Sequence, residues 1–137
     1  MIDSFSDRYS FLSNFYPCRI EYEGIIYPSA EHAFQAAKTL NIQQRKQIAD
    51  ATTPGIAKRM GRKVILRNDW EDVKLGVMTE ILRKKFQNRE LANKLLTTGS
   101  QELVEGNYWH DYFWGVCNGK GQNHLGKILM KIRERIR

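Results

Sequence analysis

Trp70, Val73, Val77 and Ile81, with Leu82 next to the last, recur three or four residues apart, the spacing of one face of an α-helix. A helix with a single apolar face holds its shape by burying that face, so this stretch commits the chain to a packed core. Asn68 or Asp69 is the expected cap, and the helix should end near Phe86. With 137 residues, 42% of them hydrophobic, the chain should hide roughly two-thirds of its unfolded surface in one core. The longest apolar stretches are only a few residues, such as Val64 to Leu66 and Ile128 to Met130, far too short to span a bilayer.

The other elements follow from local signals. Arg19 to Tyr22 and Ile25 to Tyr27 flank Glu23-Gly24 and predict a β-hairpin. Ser29 is placed to cap a helix through about Leu40, Asn41 another through Asp50, and Thr53-Pro54 opens a third that Gly61 closes. A shorter helix is expected from about Arg89 to Leu96, stopping before Gly99. Leu103-Val104 and Phe113 to Cys117 read as strands, and a last helix follows Asn123. No repeat, low-complexity tract or linker divides the chain. The expectation is one α+β domain over residues 1–137, a small mixed or antiparallel sheet packed with several helices.

Met1 to Ser6 carries no basic leader followed by an apolar run, so a cytoplasmic protein is expected. Cys18 and Cys117 show no metal-site spacing and read as small core residues. The net charge of +7 favours phosphorylated or polyanionic partners. Lys58, Arg59, Arg62, Lys63 and Arg67 form one basic cluster. Lys127, Lys131, Arg133, Arg135 and Arg137 form another; either is a solvated face unless the two converge on a phosphate backbone.

Three segments have the residue types that chemistry needs. On a helix turning about 100° per residue, Glu31, Gln35 and Lys38 fall within about 60° of one another, beside the small and apolar face of Ala30, Ala33, Phe34 and Ala37. The stripe is either a solvated face stabilised by local pairs or the polar wall of a cleft. The segment from Glu105 to Gly115 puts Glu105 and Asp111 among Tyr108, Trp109, Tyr112, Phe113 and Trp114. Carboxylates beside aromatic walls can act as general acids, and tryptophan faces can hold a flat base; equally, these carboxylates cap turns and the tryptophans pack. Asn118 to Asn123, with Lys120 and Gly121 ahead of a helix, offers a phosphate cradle of backbone N–H groups, or simply a turn and a cap. The segment fits neither the Walker loop nor the dinucleotide fingerprint. His110 and His124 lack a third ligand.

Taken together, Phe11-Leu-Ser-Asn-Phe-Tyr-Pro17, Ser29-Ala-Glu-His-Ala-Phe-Gln-Ala-Ala-Lys38, Asp69-Trp70, and Trp114-Gly-Val-Cys with Gly119-Lys-Gly-Gln-Asn-His-Leu-Gly-Lys-Ile-Leu-Met130 resemble the NADAR family, the YbiA-like N-glycosidases. The four ordered blocks cover nearly the whole chain. The resemblance implies an α+β fold and hydrolysis of the bond between a ribose and a nitrogenous ring. It implies two substrate classes: ribosylaminopyrimidine phosphates, which are early riboflavin intermediates, and ADP-ribose on guanine in nucleic acid. By motif position it makes Glu31, Trp70 and Asp111 functional acidic and aromatic residues and Lys38 a reactive lysine, with Glu105 in the matching Leu-Val-Glu block. Ser13, Asn14, Phe15, Gln35, Trp114, Gly115, Lys120, Gly121 and Asn123 are its substrate-binding candidates. Just after Trp114-Gly115 the sequence departs from the YbiA type, with Val116-Cys117-Asn118 in place of a more glycine-rich stretch, and Asn107 to His110 is unusually aromatic. Both differences bear on substrate and not on fold.

Two routes would cleave such a bond. One stabilises positive charge at C1′ and protonates the departing nitrogen, with Glu31 and Asp111 as the pair. The other captures C1′ on Lys38 as a Schiff base, with Glu31, Glu105 or Asp111 moving protons. Neither calls for a metal or another cofactor. The charge of +7 leans toward ADP-ribosylated guanine, and the partners expected are a substrate containing ribose phosphate or ADP-ribose, and nucleic acid, with no membrane. The rival from another class is a module that binds ADP-ribose or nucleic acid without turnover.

Overall fold

The computed structural model describes residues 1–137, as two compact units: residues 14–85, and residues 1–13 with 86–137. Its class is α+β with a small antiparallel sheet, as the sequence predicts. No helix is long and apolar enough to cross a membrane.

The first unit begins with the hairpin β1 (Pro17–Tyr22) and β2 (Ile25–Ser29), in which Tyr22 pairs with Ile25 and Ile20 with Tyr27. Glu23 and Gly24 connect them with φ of 48° and 86°. Positive φ at both central residues is what a two-residue turn needs to match the strand twist. Ile20, Tyr22 and Tyr27 point to the core while Glu21 and Ile26 face solvent, so alternation sets the buried face.

Four helices follow. In α1 (Ala30–Ala37), Ser29 caps by accepting from the His32 N–H at 3.1 Å, and every residue is buried. This helix stops three residues short of the expected Leu40. The N–H groups of Lys38 and Thr39 turn to the tighter carbonyls of Gln35 and Ala36, and the Lys38 carbonyl accepts instead from the Arg67 N–H at 2.8 Å. Asn41 caps α2 (Ile42–Ala49), and Thr53 caps α3 (Pro54–Gly61) with Pro54 in the first turn. Gly61 does not close α3 through a left-handed turn; Arg62 caps it in a right-handed conformation. The glycine is there for a close approach to α1, described below. In α4 (Trp70–Lys85) the buried stripe is Trp70, Val77, Met78, Ile81, Leu82 and Lys85, with Val73 only half-buried. Asp69 stands just before this helix, its carbonyl accepting from the Val73 N–H at 3.1 Å, and its carboxylate pairs with Arg67 Nε at 2.6 Å.

The second unit holds a 3-10 helix (Asp7–Leu12), α5 (Arg89–Thr97) and α6 (His124–Ile136). Its core gathers Phe11, Leu12, Leu95, Leu103, Cys117 and Leu129. The strands expected at Leu103-Val104 and Phe113 to Cys117 are not ladders. Only isolated bridges form, Ile2 to Leu103, Gly106 to Val116 and Cys117 to Lys120. The reason is local competition: the N–H groups of Phe113 and Trp114 go to Asp111 Oδ1, and the carbonyls of residues 112–115 are taken by the N–H groups of residues 122–125.

Candidate active site

The polar stripe of α1 is not a solvated face. Glu31 is 8% and Gln35 5% exposed, while Lys38 is half-buried. Small residues explain the depth: Ala30, Ala33, Ala36 and Ala37, all fully buried, let neighbouring elements close on the helix. The Glu31 N–H donates to the Asn14 carbonyl at 3.0 Å, and Gln35 Nε2 donates to Glu31 Oε2 at 2.6 Å. Lys38 Nζ lies 6.0 Å from the centre of the Phe34 ring, which in turn meets Trp70 at 5.1 Å. Burial pushes the Lys38 amine below the ordinary lysine range; the Glu31 carboxylate pulls it back up, and the charges of Arg62, Lys58 and Lys74 push it down again. Glu31, Gln35, Lys38 and Trp70 are therefore brought together within one unit. Asn14 joins them through its backbone, and its buried Oδ1 has no hydrogen-bond partner. Phe15 is 44% exposed. Ser13 belongs to the other unit, where its N–H ends the 3-10 helix on Ser10.

The remaining candidates form a cluster of their own in the second unit, organised by Asn107. Its Nδ2 donates to Glu105 Oε2 and to the Asp111 carbonyl, both at 3.0 Å, and its Oδ1 accepts from the Asp111 N–H. Asp111 Oδ1 accepts from Phe113 and Trp114 at 3.2 and 2.9 Å, the arrangement of a turn cap. Gly115 is obligatory, because a Cβ there would sit 2.0 Å from Glu105 Oε2. Asn123 takes a left-handed conformation, φ 53°, and ties Glu105 to Leu103: Oδ1 accepts from the Glu105 N–H and Nδ2 donates to the Leu103 carbonyl.

The expected phosphate cradle is closed. The N–H groups of Gln122, Asn123, His124 and Leu125 donate to the carbonyls of Tyr112, Gly115, Phe113 and Trp114. A Cβ on Gly121 would lie 2.1 Å from the Gly115 carbonyl, so this glycine packs against backbone. Lys120 is exposed. Trp114 stands half-buried, edge-on to Phe113 at 4.8 Å, whereas Tyr108, Trp109 and Tyr112 are exposed. No three histidine, cysteine, aspartate or glutamate side chains gather as metal ligands. In the C-terminal basic cluster Arg133 is buried and donates to Thr98 Oγ1 at 2.9 Å, and Arg137 donates to the Gly99 carbonyl.

Three residues of structural weight carry no obvious sequence signal. His32 is buried: Nε2 donates to the Ala51 carbonyl at 3.0 Å and Nδ1 lies 2.6 Å from Ser29 Oγ, while burial lowers its pKa. Its spacing from Ser29 was the available clue. Asn107 gave none within an aromatic run. Lys85 is 1% exposed, 5.8 Å from the Tyr16 ring, with burial pushing its amine down to about 8. It follows Arg83 and Lys84, a run that reads as solvated.

These observations define a small α+β protein whose most buried helix presents a carboxylate, an amide and a lysine side by side. A family model described as the NADAR domain matches residues 3–137, and the chain belongs to that family. It is 44% identical over 137 residues to the N-glycosidase YbiA of Shigella boydii, covering 97% of this chain and 85% of that protein. It is 41% identical over 134 residues to a riboflavin biosynthesis protein of Vibrio vulnificus, covering 95% of this chain and only 36% of the Vibrio protein's length. Among solved structures, the NMR structure of Escherichia coli YbiA superposes with a TM-score of 0.86 at 40% identity, over 99% of this chain and 84% of that one.

Proposed function

We propose that this protein hydrolyses the N-glycosidic bond between a ribose and a nitrogenous base, with Lys38 as the nucleophile, and that its two units act as one family domain. The observation that carries the reading is the Lys38 amine, held below its ordinary pKa by burial and by Arg62, Lys58 and Lys74, next to the Glu31 carboxylate. A lysine attacks only as the neutral amine, so this environment supplies the reactive form nearer to neutral pH. The relatives named N-glycosidase support the bond class.

In the proposed reaction Lys38 Nζ bonds to C1′ as the C1′–N bond to the base breaks. The base leaves with the bonding pair, and Lys38 loses a proton to Glu31, which passes one on to the departing base. Opening of the ribose ring gives an imine between Lys38 and C1′. Water then adds to C1′, releasing the sugar and restoring the amine. Trp70, beside Phe34, is the proposed flat apolar wall for the departing base. Glu105 and Asp111 remain proton-transfer candidates, although Asp111 already spends one oxygen on its turn. Ser13, Asn14, Phe15, Trp114 and Lys120 are proposed contacts, Lys120 through its side chain, whereas Gly115, Gly121 and Asn123 are engaged in packing their own turn.

The charge of +7 supports ADP-ribosylated guanine, in nucleic acid or nucleotides, as the substrate. The name of the Vibrio relative supports a second reading, a ribosylaminopyrimidine phosphate. Incubation with an ADP-ribosylated oligonucleotide and with a ribosylaminopyrimidine phosphate decides between them by which N-glycoside disappears. Both ligands recovered intact, but bound, would leave a non-catalytic module.

A further inference from the structure

Gln35 occupies an orientation that disadvantages half of its own side chain. Its Nε2 donates to Glu31 Oε2 at 2.6 Å, while its Oε1 is buried with no hydrogen-bond partner. Stranding a carbonyl oxygen is unfavourable, and such an atom needs a reason. Turning the amide over would set oxygen against the Glu31 carboxylate and remove a charge-assisted bond, so the carboxylate dictates the orientation.

The side chain is also locked from the far side. A Cβ built on Gly61 of α3 would fall 1.9 Å from Gln35 Oε1 and 2.7 Å from its Cδ. Only glycine leaves room for the amide at this crossing of α1 and α3. Glu31 is thus held at its backbone by the Asn14 carbonyl and at its carboxylate by an amide with nowhere else to go.

We propose that Gln35 is a positioning residue: clamped by Gly61, it fixes the Glu31 carboxylate in place for proton transfer. The proposal rests on the hydrolase reading for its consequence, and it replaces a substrate contact by Gln35 with action through Glu31. A donor to a carboxylate favours the ionised form, so losing it should make Glu31 easier to protonate. The charged and titratable groups near this helix are Lys38 and His32 on it, Lys58 of α3 and Arg62 at its C-terminal cap, Lys74 of α4 and Cys18 of β1 beside Ala30, with Arg45 of α2 paired to Glu23 of the hairpin turn. None is altered by the substitutions below.

The test is a ¹³C NMR titration of the Glu31 carboxylate, assigned with Glu31→Gln, in the wild type, in Gln35→Met, which keeps the volume, and in Gly61→Ala, which displaces the amide from the other helix. Glu31 is expected to titrate about one pH unit higher in both variants. In turnover, kcat should fall about tenfold with KM nearly unchanged, and the acid limb of the pH profile should move with the titration. Gly61→Ala should cost less in a Gln35→Ala background than alone, because the contacts with Oε1 and Cδ are gone and only the 3.0 Å approach to the Cβ of residue 35 is left. An unmoved Glu31 titration in a folded variant, with only a lower melting temperature, overturns the proposal. Should Gln35→Met not fold, Gly61→Ala carries the same decision. A wild type that turns over no N-glycoside would instead defeat the hydrolase reading and leave the titration result standing.

Discussion

Lys85 sits at the end of α4 with 1% of its surface exposed, and burial lowers its amine from 10.5 to about 8. Each pKa unit corresponds to about 1.4 kcal/mol, so a shift of this size puts a cost on the order of 3 kcal/mol on the folded state when the amine is protonated. The sign follows from proton binding. Between the folded value near 8 and the unfolded value of 10.5, the unfolded chain binds the proton more readily than the native one. Stability therefore rises with pH through that window, and the whole penalty is present below it. Lys85→Met removes the titrating group and keeps most of the apolar stem. At pH 7 the variant should be more stable than the wild type by up to about 3 kcal/mol, less whatever contacts the ammonium makes. Urea melts of both proteins from pH 7 to 9.5 measure this directly. The wild type should gain on the variant as pH rises, and two parallel stability curves would refute a buried amine with this pKa.

Two further expectations bear on the site. Asp111→Asn keeps an acceptor for the N–H groups of Phe113 and Trp114, so it should retain the fold, whereas Asp111→Ala should cost about 1 kcal/mol; loss of turnover in the folded Asp111→Asn variant makes this carboxylate a proton carrier, and full turnover leaves it a turn cap alone. Because the Lys38 amine is held below its ordinary range, activity limited by amine attack should rise with pH well before 10.5 and level off, and a profile that climbs only in the ordinary lysine range would contradict the lowered pKa.

What the sequence made legible was local. Glu23-Gly24 needed only its own backbone to define the hairpin, and Ser29, Asn41 and Thr53 cap their helices through bonds three residues long. The family blocks likewise picked out α1. What stayed hidden depended on partners far along the chain. Phe113 to Cys117 looks like a strand until Asp111 and the start of α6 claim its hydrogen bonds. Gly61 reads as a helix stop because nothing nearby announces that Gln35 will lie against it. The burial of Glu31 and Lys85 follows from how closely neighbouring elements pack on α1 and α4, and a charged residue in a helix is ordinarily solvated.

Reductive trapping of the substrate on Lys38 tests the central claim most directly. Wild-type protein incubated with its N-glycoside and borohydride should gain one sugar adduct, mapped by peptide mass spectrometry to Lys38 and not to Lys85, and Lys38→Ala should show neither adduct nor turnover. An active Lys38→Ala variant, with no adduct on the wild type, would contradict it.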